Sequence, residues 1–278
     1  MSTKEFKLPH SGVWLRAPER HFEEVALFVH HYEGHRASVR KHQEFLAELG
    51  MDSVAFTLSF PQTPKWLSKV AHIENYYYQL RNRWSEEISD MLKAIPAPKV
   101  LYTFSFPSAP ALQALAEMQS RAQIRTWICD GGPFLMNFKC FWNYYTKHEK
   151  VKNPLFSASR LALGLFGLQT WSLATDLKLA LQQLPEGFPI LSIRSWQDPL
   201  VPIEAIDAVF RGQSHLQLET LTLPEAGHID GLQRFPLDYK PRVEKFLRQQ
   251  LKVSAPQSNP QPSEAKQNSK SSTLRAGH

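Results

Sequence analysis

Short apolar runs alternate along this chain with longer segments whose apolar positions recur at helical spacing. Val25-Ala26-Leu27-Phe28-Val29 is an unbroken apolar run, which predicts a strand buried on both faces of a sheet. Gly12 to Arg16 alternates weakly and reads as a short strand before it. From about Ser38 to Leu49, the residues Val39, Phe45, Leu46 and Leu49 supply the apolar positions of a helix, and Gly50 stands where a C-cap belongs. Ser53 to Leu58 is the next strand, followed by the Pro-containing loop Phe60 to Pro64. A long helix is predicted from Ile73 to Ile95. A strand starts at Lys99 and ends at Ser105, and a helix follows from Ala109 to Gln119. Ile124 to Cys129 is a strand that stops at Asp130-Gly131-Gly132-Pro133. The alternation resumes with a strand at Pro189 to Ile193, a helix at Ile203 to Phe210, a strand at Leu216 to Leu223 and a final helix from Tyr239 to Leu251. Strand and helix in turn predict an α/β architecture, a mainly parallel, doubly wound sheet covered on both faces.

Two segments depart from this rhythm. From about Phe134 to Leu184 the chain is aromatic-rich and mostly helical in pattern. It is expected to form a helical cap inserted at about 134–186 into a domain spanning 1–252. After Val253, Ser, Pro, Gln, Asn and Lys dominate, and Leu274 is the sole large apolar residue. Such a segment buries too little to offset its chain entropy, so 253–278 is expected to be a disordered tail.

Composition narrows the class further. The chain has 278 residues, of which 42% are hydrophobic, enough for a full core. No stretch reaches the roughly 20 apolar residues of a membrane span, and the N-terminus lacks the apolar run of a signal peptide. A cytoplasmic location is the expectation. The formal charge is +6. The tail carries Lys266, Lys270 and Arg275 against Glu264, and no basic stripe with interleaved aromatics marks a nucleic-acid surface. Two cysteines, Cys129 and Cys140, make neither a disulfide framework nor a Cys-rich metal site. Oligomeric state is left open by the sequence.

Ligands of parallel α/β sheets sit beyond the carboxyl ends of the strands. The polar residues directly after the predicted strands are His30 and His31, Ser105, Asp130, Asp198 and His228. A serine, two carboxylates and a histidine are thus brought to one edge. Serine needs a base within hydrogen-bond reach to act as a nucleophile, and the base needs an acid to fix its tautomer.

Four segments carry a resemblance to the α/β-hydrolase fold superfamily over roughly residues 10–252. Val29-His30-His31-Tyr32 is similar to the superfamily's oxyanion loop. Thr103-Phe104-Ser105-Phe106-Pro107 is similar to its nucleophile elbow, with Thr103 and Pro107 where G-x-S-x-G has glycines. Ser195-Trp196-Gln197-Asp198-Pro199-Leu200-Val201-Pro202 resembles its acid loop, and Pro224-Glu225-Ala226-Gly227-His228 its base loop. The resemblance implies a serine esterase or lipase-like enzyme with Ser105 as nucleophile, His228 as base and Asp198 as acid. It implies backbone N–H groups of Tyr32 and Phe106 as oxyanion donors. It also implies an acyl-enzyme and no cofactor. His30, His31 and His35 have no carboxylate pattern beside them except Glu33, so no metal is expected, and the aromatic cap is the basis for expecting a small or medium hydrophobic ester as substrate. His31, Phe134 and Trp142 are candidate substrate contacts.

Other readings stay open on the residues themselves. Ser105 also suits a strand-to-helix N-cap. Pro107 fits a first helical turn but biases Phe106 away from helical dihedrals, which bears on where the Phe106 N–H points. Asp130 is an alternative acid. His30 reads as a packing and hydrogen-bonding residue beneath the oxyanion loop. A non-catalytic protein of the same fold, binding a ligand or partner through its cap, is the competing functional class.

Overall fold

The computed structural model describes residues 8–60, 73–118, 123–135, 138–148 and 170–251. The expected tail at 253–278 and part of the expected cap lie outside them. Seven strands form one sheet: β1 Val13–Leu15, β2 Val25–Val29, β3 Asp52–Ala55, β4 Lys99–Phe104, β5 Ile124–Asp130, β6 Pro189–Ser195 and β7 Gln217–Leu223. Their spatial order is β1-β3-β2-β4-β5-β6-β7. Only β1 runs antiparallel to its neighbour; the other pairings are parallel. The helices are α1 Arg40–Glu48, α2 Ile73–Ala94, α3 Ser108–Glu117, α4 Phe138–Asn143, α5 Thr170–Gln182, α6 Ile203–Phe210, α7 Gly231–Arg234 and α8 Pro236–Gln250. No helix among the described residues is long and apolar enough to cross a membrane.

The continuous apolar strands serve two cores because successive side chains point to opposite faces. Leu27, Val54, Leu101, Trp127 and Ile190 face Trp84 and Ile88 of α2, Leu112 of α3, Leu181 of α5 and Val209 of α6. The alternate residues Phe28, Val100, Tyr102, Ile128 and Leu191 face Phe45 and Leu46 of α1 and Tyr239, Val243 and Phe246 of α8. A sheet sandwiched in this way needs apolar residues at every strand position, which is the pattern of β2.

Most element boundaries shift by one or two residues from the sequence expectation, and three differences are larger. The predicted strand to Leu58 ends at Ala55, because the Leu58 N–H turns away to donate to His30 Nε2 at 2.9 Å. The first predicted helix is split: a 3-10 turn at Arg36–Val39, capped by His35 Nδ1 accepting from the Ala37 N–H at 3.1 Å, precedes α1. The last helix starts earlier, at Pro236, and the short α7 before it was not expected.

One buried histidine gives the fold a pH dependence. His42 of α1 lies among the rings of Tyr102, Phe104 and Tyr239, at centroid distances of 5.8, 4.7 and 5.7 Å. Neither ring nitrogen has a hydrogen-bond partner among the described residues. Burial holds the imidazole neutral, its pKa lowered to about 3 from an ordinary value of 6.5. Below pH 6.5 the unfolded chain takes up a proton here that the folded chain refuses, so stability is lost as pH falls through this window. His42→Leu removes that loss. Relative to wild type, the variant should gain about 1.4 kcal/mol per pH unit between about pH 6 and pH 4. Urea unfolding of both proteins at several pH values measures it. A wild-type-to-variant difference that stays flat with pH would refute the assignment.

Candidate active site

The carboxyl ends of the strands bring the predicted residues together. Ser105 follows β4, Asp130 closes β5, Asp198 lies in the loop after β6 and His228 in the loop after β7. Sheet register explains why they meet: Phe104 pairs with Asp130, Asp130 with Ile193, and Ser195 with Leu223, so these strands end at one edge.

Ser105 sits at φ +55°, the left-handed region that costs a side-chain-bearing residue about 1–3 kcal/mol. Its N–H donates to the Asp130 carbonyl at 2.8 Å, and its carbonyl accepts from the Ser108 N–H at 3.0 Å. The chain therefore reverses from strand to helix at this one residue. Pro107 is the N-cap residue of α3 with φ −59° and ψ −11°, where a missing N–H is harmless. The Ala109 N–H still reaches the Phe106 carbonyl at 3.0 Å, so Pro107 does not prevent the turn from closing. Thr103 is fully buried. Its hydroxyl accepts from Trp127 Nε1–H at 2.9 Å and donates to Ser108 Oγ at 2.9 Å, bracing strand against helix.

The room that elbow glycines usually provide comes from the two residues that follow the neighbouring strand β5. A Cβ on Gly132 would lie 2.4 Å from the Ser105 carbonyl oxygen, and one on Gly131, at φ +66°, would lie 3.2 Å from His228 Cε1. The sequence showed Gly131-Gly132 merely as a strand stop. No pattern local to Ser105 points to them.

Ser105 Oγ is 2.7 Å from His228 Nε2, and His228 Nδ1 is 2.6 Å from Asp198 Oδ2. The Asp198 carboxylate is nearly buried, and its other oxygen accepts the N–H groups of Leu200 at 2.8 Å and Val201 at 2.9 Å. An ionised Asp198 accepts Nδ1–H, which leaves the Nε2 lone pair facing the Ser105 hydroxyl. The two loops are tied together by Ser195, whose hydroxyl donates to the Ala226 carbonyl and accepts from the Gln197 N–H at 3.2 Å. Asp230 secures the base loop by accepting the Gly227 N–H at 2.7 Å. Neither Ser195 nor Asp230 carries a sequence signal for this work.

The oxyanion-loop segment is braced from below. His30 is buried; its Nδ1–H donates to the His31 carbonyl at 2.7 Å while Nε2 accepts the Leu58 N–H. These partners require the neutral ring, and burial lowers its pKa to about 4. The expected hydrogen-bonding role of His30 thus matches its surroundings. The Tyr32 and Phe106 rings meet edge-on at 6.0 Å, which brings the segment after β2 to the turn at Ser105.

A cleft of about 120 Å³ opens beside Ser105 and His228. Tyr32, Phe106, Phe134, Tyr144, Leu200 and Val201 give it an apolar lining, and His31, Glu33 and His148 add polar edges. Burial, followed by nearby His228, His35 and His148, lowers the pKa of His31. Of the three candidate substrate contacts, His31 and Phe134 line this cleft. Trp142 does not; it lies on α4 with 40% of its surface exposed. Helical spacing identifies the faces of α4 but not what each face meets. Asp130 accepts Tyr239 O–H at 2.7 Å, and it is Asp198 that hydrogen-bonds the imidazole. No cluster of three or more His, Cys, Asp or Glu among the described residues is arranged to hold a metal.

No family model matches the chain, and no curated protein matches it. Solved structures do. The esterase Pf2001 of Pyrococcus furiosus superposes with a TM-score of 0.57 at 18% identity, covering 86% of this chain and 85% of that one. TT1662 of Thermus thermophilus gives 0.58 at 18%, covering 87% and 94%. The 2-hydroxy-6-oxo-6-phenylhexa-2,4-dienoate hydrolase BphD of Rhodococcus sp. strain RHA1 gives 0.55 at 17%, covering 81% and 91%. Sheet order, strand-end site and these likenesses agree that the chain has the α/β-hydrolase fold.

Proposed function

We propose that the protein is a serine hydrolase that cleaves a carboxylic ester of a small or medium hydrophobic substrate. The observation that carries this reading is the continuous hydrogen-bonded line Ser105–His228–Asp198, with links of 2.7 and 2.6 Å, at a serine held in a left-handed turn. Binding alone requires neither a base nor an acid that orients it.

In this mechanism Ser105 Oγ attacks the ester carbonyl carbon as His228 Nε2 takes its proton. Asp198 holds the resulting imidazolium. Negative charge develops on the carbonyl oxygen, where the backbone N–H groups of Phe106 and Tyr32 are the candidate donors. The imidazolium then protonates the leaving alcohol, and an acyl-enzyme remains on Ser105. Water, deprotonated by His228, attacks that ester and restores the serine. No cofactor is needed.

The cleft supports the substrate class. It is mostly apolar, and its volume lies below the roughly 300–1,000 Å³ of sites for drug-sized ligands. That favours a small acyl group over a long chain. The structural neighbours named as esterases and as a hydrolase point to the same reaction class.

Incubation with a fluorophosphonate tests the reading. One adduct per chain is expected by intact mass, mapped to the peptide containing Ser105, together with turnover of p-nitrophenyl acetate or butyrate. A protein that forms no adduct and hydrolyses no ester belongs instead to the binding-only class.

A further inference from the structure

A second buried carboxylate, Asp130, stands next in the chain to the glycine that packs on His228, and the mechanism above does not use it. Asp130 closes β5 and is buried. Its carbonyl accepts the Ser105 N–H at 2.8 Å. The N–H of Gly131 is held by the Ile193 carbonyl at 2.9 Å, and Gly132 lies flush against the Ser105 carbonyl. Residues 130–132 are therefore the surface on which the Ser105 turn rests, and Gly131 abuts the imidazole edge of His228.

The side chain is clamped from two other elements. Tyr239 of α8 donates its hydroxyl to Asp130 Oδ2 at 2.7 Å. Because that proton is spent, the Tyr102 hydroxyl of β4, 2.5 Å from Tyr239, is the donor in the link behind it. Both tyrosines are fully buried. A buried donor chain that runs from β4 through α8 and ends on one carboxylate is costly to build unless every member is satisfied. Here it terminates at the residue that precedes Gly131 and Gly132, both closely packed in the site.

We propose that Asp130 is a positioning residue of the site. Its carbonyl seats the Ser105 turn, and its Tyr239-clamped carboxylate is a second buried acid next to Gly131, the glycine that abuts His228. The proposal rests on the serine-hydrolase reading for its consequence in turnover, and on the geometry alone for the seating of Ser105.

The groups that face Asp130 set its ionisation. They are Tyr239 from α8, Tyr102 from β4, Cys129 beside it on β5, His228 and Asp230 from the base loop, and Asp198 from the acid loop. Burial raises its pKa to about 7, against the Tyr239 hydrogen bond and His228, which favour the anion; Asp198 and Asp230 add to the rise. The anion forms as pH rises through neutrality. In that form it favours the imidazolium that His228 becomes when Ser105 gives up its proton.

Two variants test this in the intact protein. Asp130→Asn keeps the carbonyl and an acceptor for Tyr239 but removes the charge. With p-nitrophenyl butyrate it should lower kcat about tenfold and leave KM within twofold, and the acid limb of kcat/KM should move to lower pH, because the anion that favours the imidazolium is gone. Tyr239→Phe keeps the acid and removes the clamp. Amide hydrogen exchange of Ser105 should accelerate at least tenfold relative to that of Leu101, deeper in β4. An Asp130→Asn enzyme with the wild-type kcat and pH profile overturns the electrostatic part, and an unchanged Ser105-to-Leu101 exchange ratio in Tyr239→Phe overturns the seating. A wild type inert to esters and fluorophosphonate, in which Tyr239→Phe still loosens Ser105, removes the hydrolase reading and leaves the seating standing.

Discussion

Replacing Ser105 by alanine is expected to reduce ester turnover by about 10⁴-fold or more and to abolish fluorophosphonate labelling. The size follows from the unit it belongs to. Once the hydroxyl is gone, His228 and Asp198 have nothing to activate, and the remaining rate comes from binding and oxyanion contacts alone. The fold should survive, because Ser105 Oγ makes its contact with a ring that is itself anchored by Asp198. Backbone conformation adds a second, independent readout. At φ +55° alanine is as strained as serine, whereas glycine is not. Ser105→Gly should therefore be equally inactive but more stable than Ser105→Ala by roughly 1 kcal/mol in urea unfolding. An alanine variant that keeps a tenth of the wild-type kcat would remove Ser105 from the chemistry. A glycine variant no more stable than alanine would mean that the turn stores no strain.

The loops that carry Asp198 and His228 were legible in the sequence because their hydrogen bonding is local. Asp198 takes the N–H groups of Leu200 and Val201, and the intervening Pro199 has none to offer. The spacing of Asp, Pro and the following apolar residues is thus the record of one carboxylate turn. Gly227 is small because its own Cβ would meet Asp230 Oδ2 at 2.8 Å, three residues on. The sheet was legible for a similar reason, since a strand covered on both faces must be apolar throughout.

The elbow was harder to read because its determinants are not local. Thr103 looks too large beside Ser105 until Trp127, on the next strand, is seen to donate to its hydroxyl. Tyr239 is distant in sequence from the carboxylate it clamps. The aromatic residues of α4 and the turn after it were legible as a class, yet Tyr144 reaches the cleft and Trp142 does not. Periodicity states which residues share a face. It does not state which neighbour that face meets.

Gly132→Ala puts the displaced glycine requirement to the test. The added methyl would start 2.4 Å from the Ser105 carbonyl oxygen and 3.0 Å from both the Ser105 carbonyl carbon and Ser108 Oγ. Two of those three atoms are backbone, so no side-chain rotation relieves the contact. Either β5 and the Ser105 turn part, or the variant unfolds more readily. A loss of about 2–4 kcal/mol is expected, in the range of overpacking plus backbone strain. A displacement of about 1 Å at Ser105 also takes its hydroxyl out of line with His228, and misplacements of that size cost on the order of 10²-fold in rate. Gly187 is the control, for it too has a positive φ, +71°, but a Cβ there meets nothing within 4 Å. Gly187→Ala should cost about 1 kcal/mol from backbone strain alone and leave turnover at the wild-type level. If both glycine variants lose similar stability and neither loses activity, the close approach of Gly132 to Ser105 is not what shapes the turn. If Gly132→Ala alone loses rate, the space for an elbow with threonine and proline in the glycine positions is supplied by the glycine turn that follows β5.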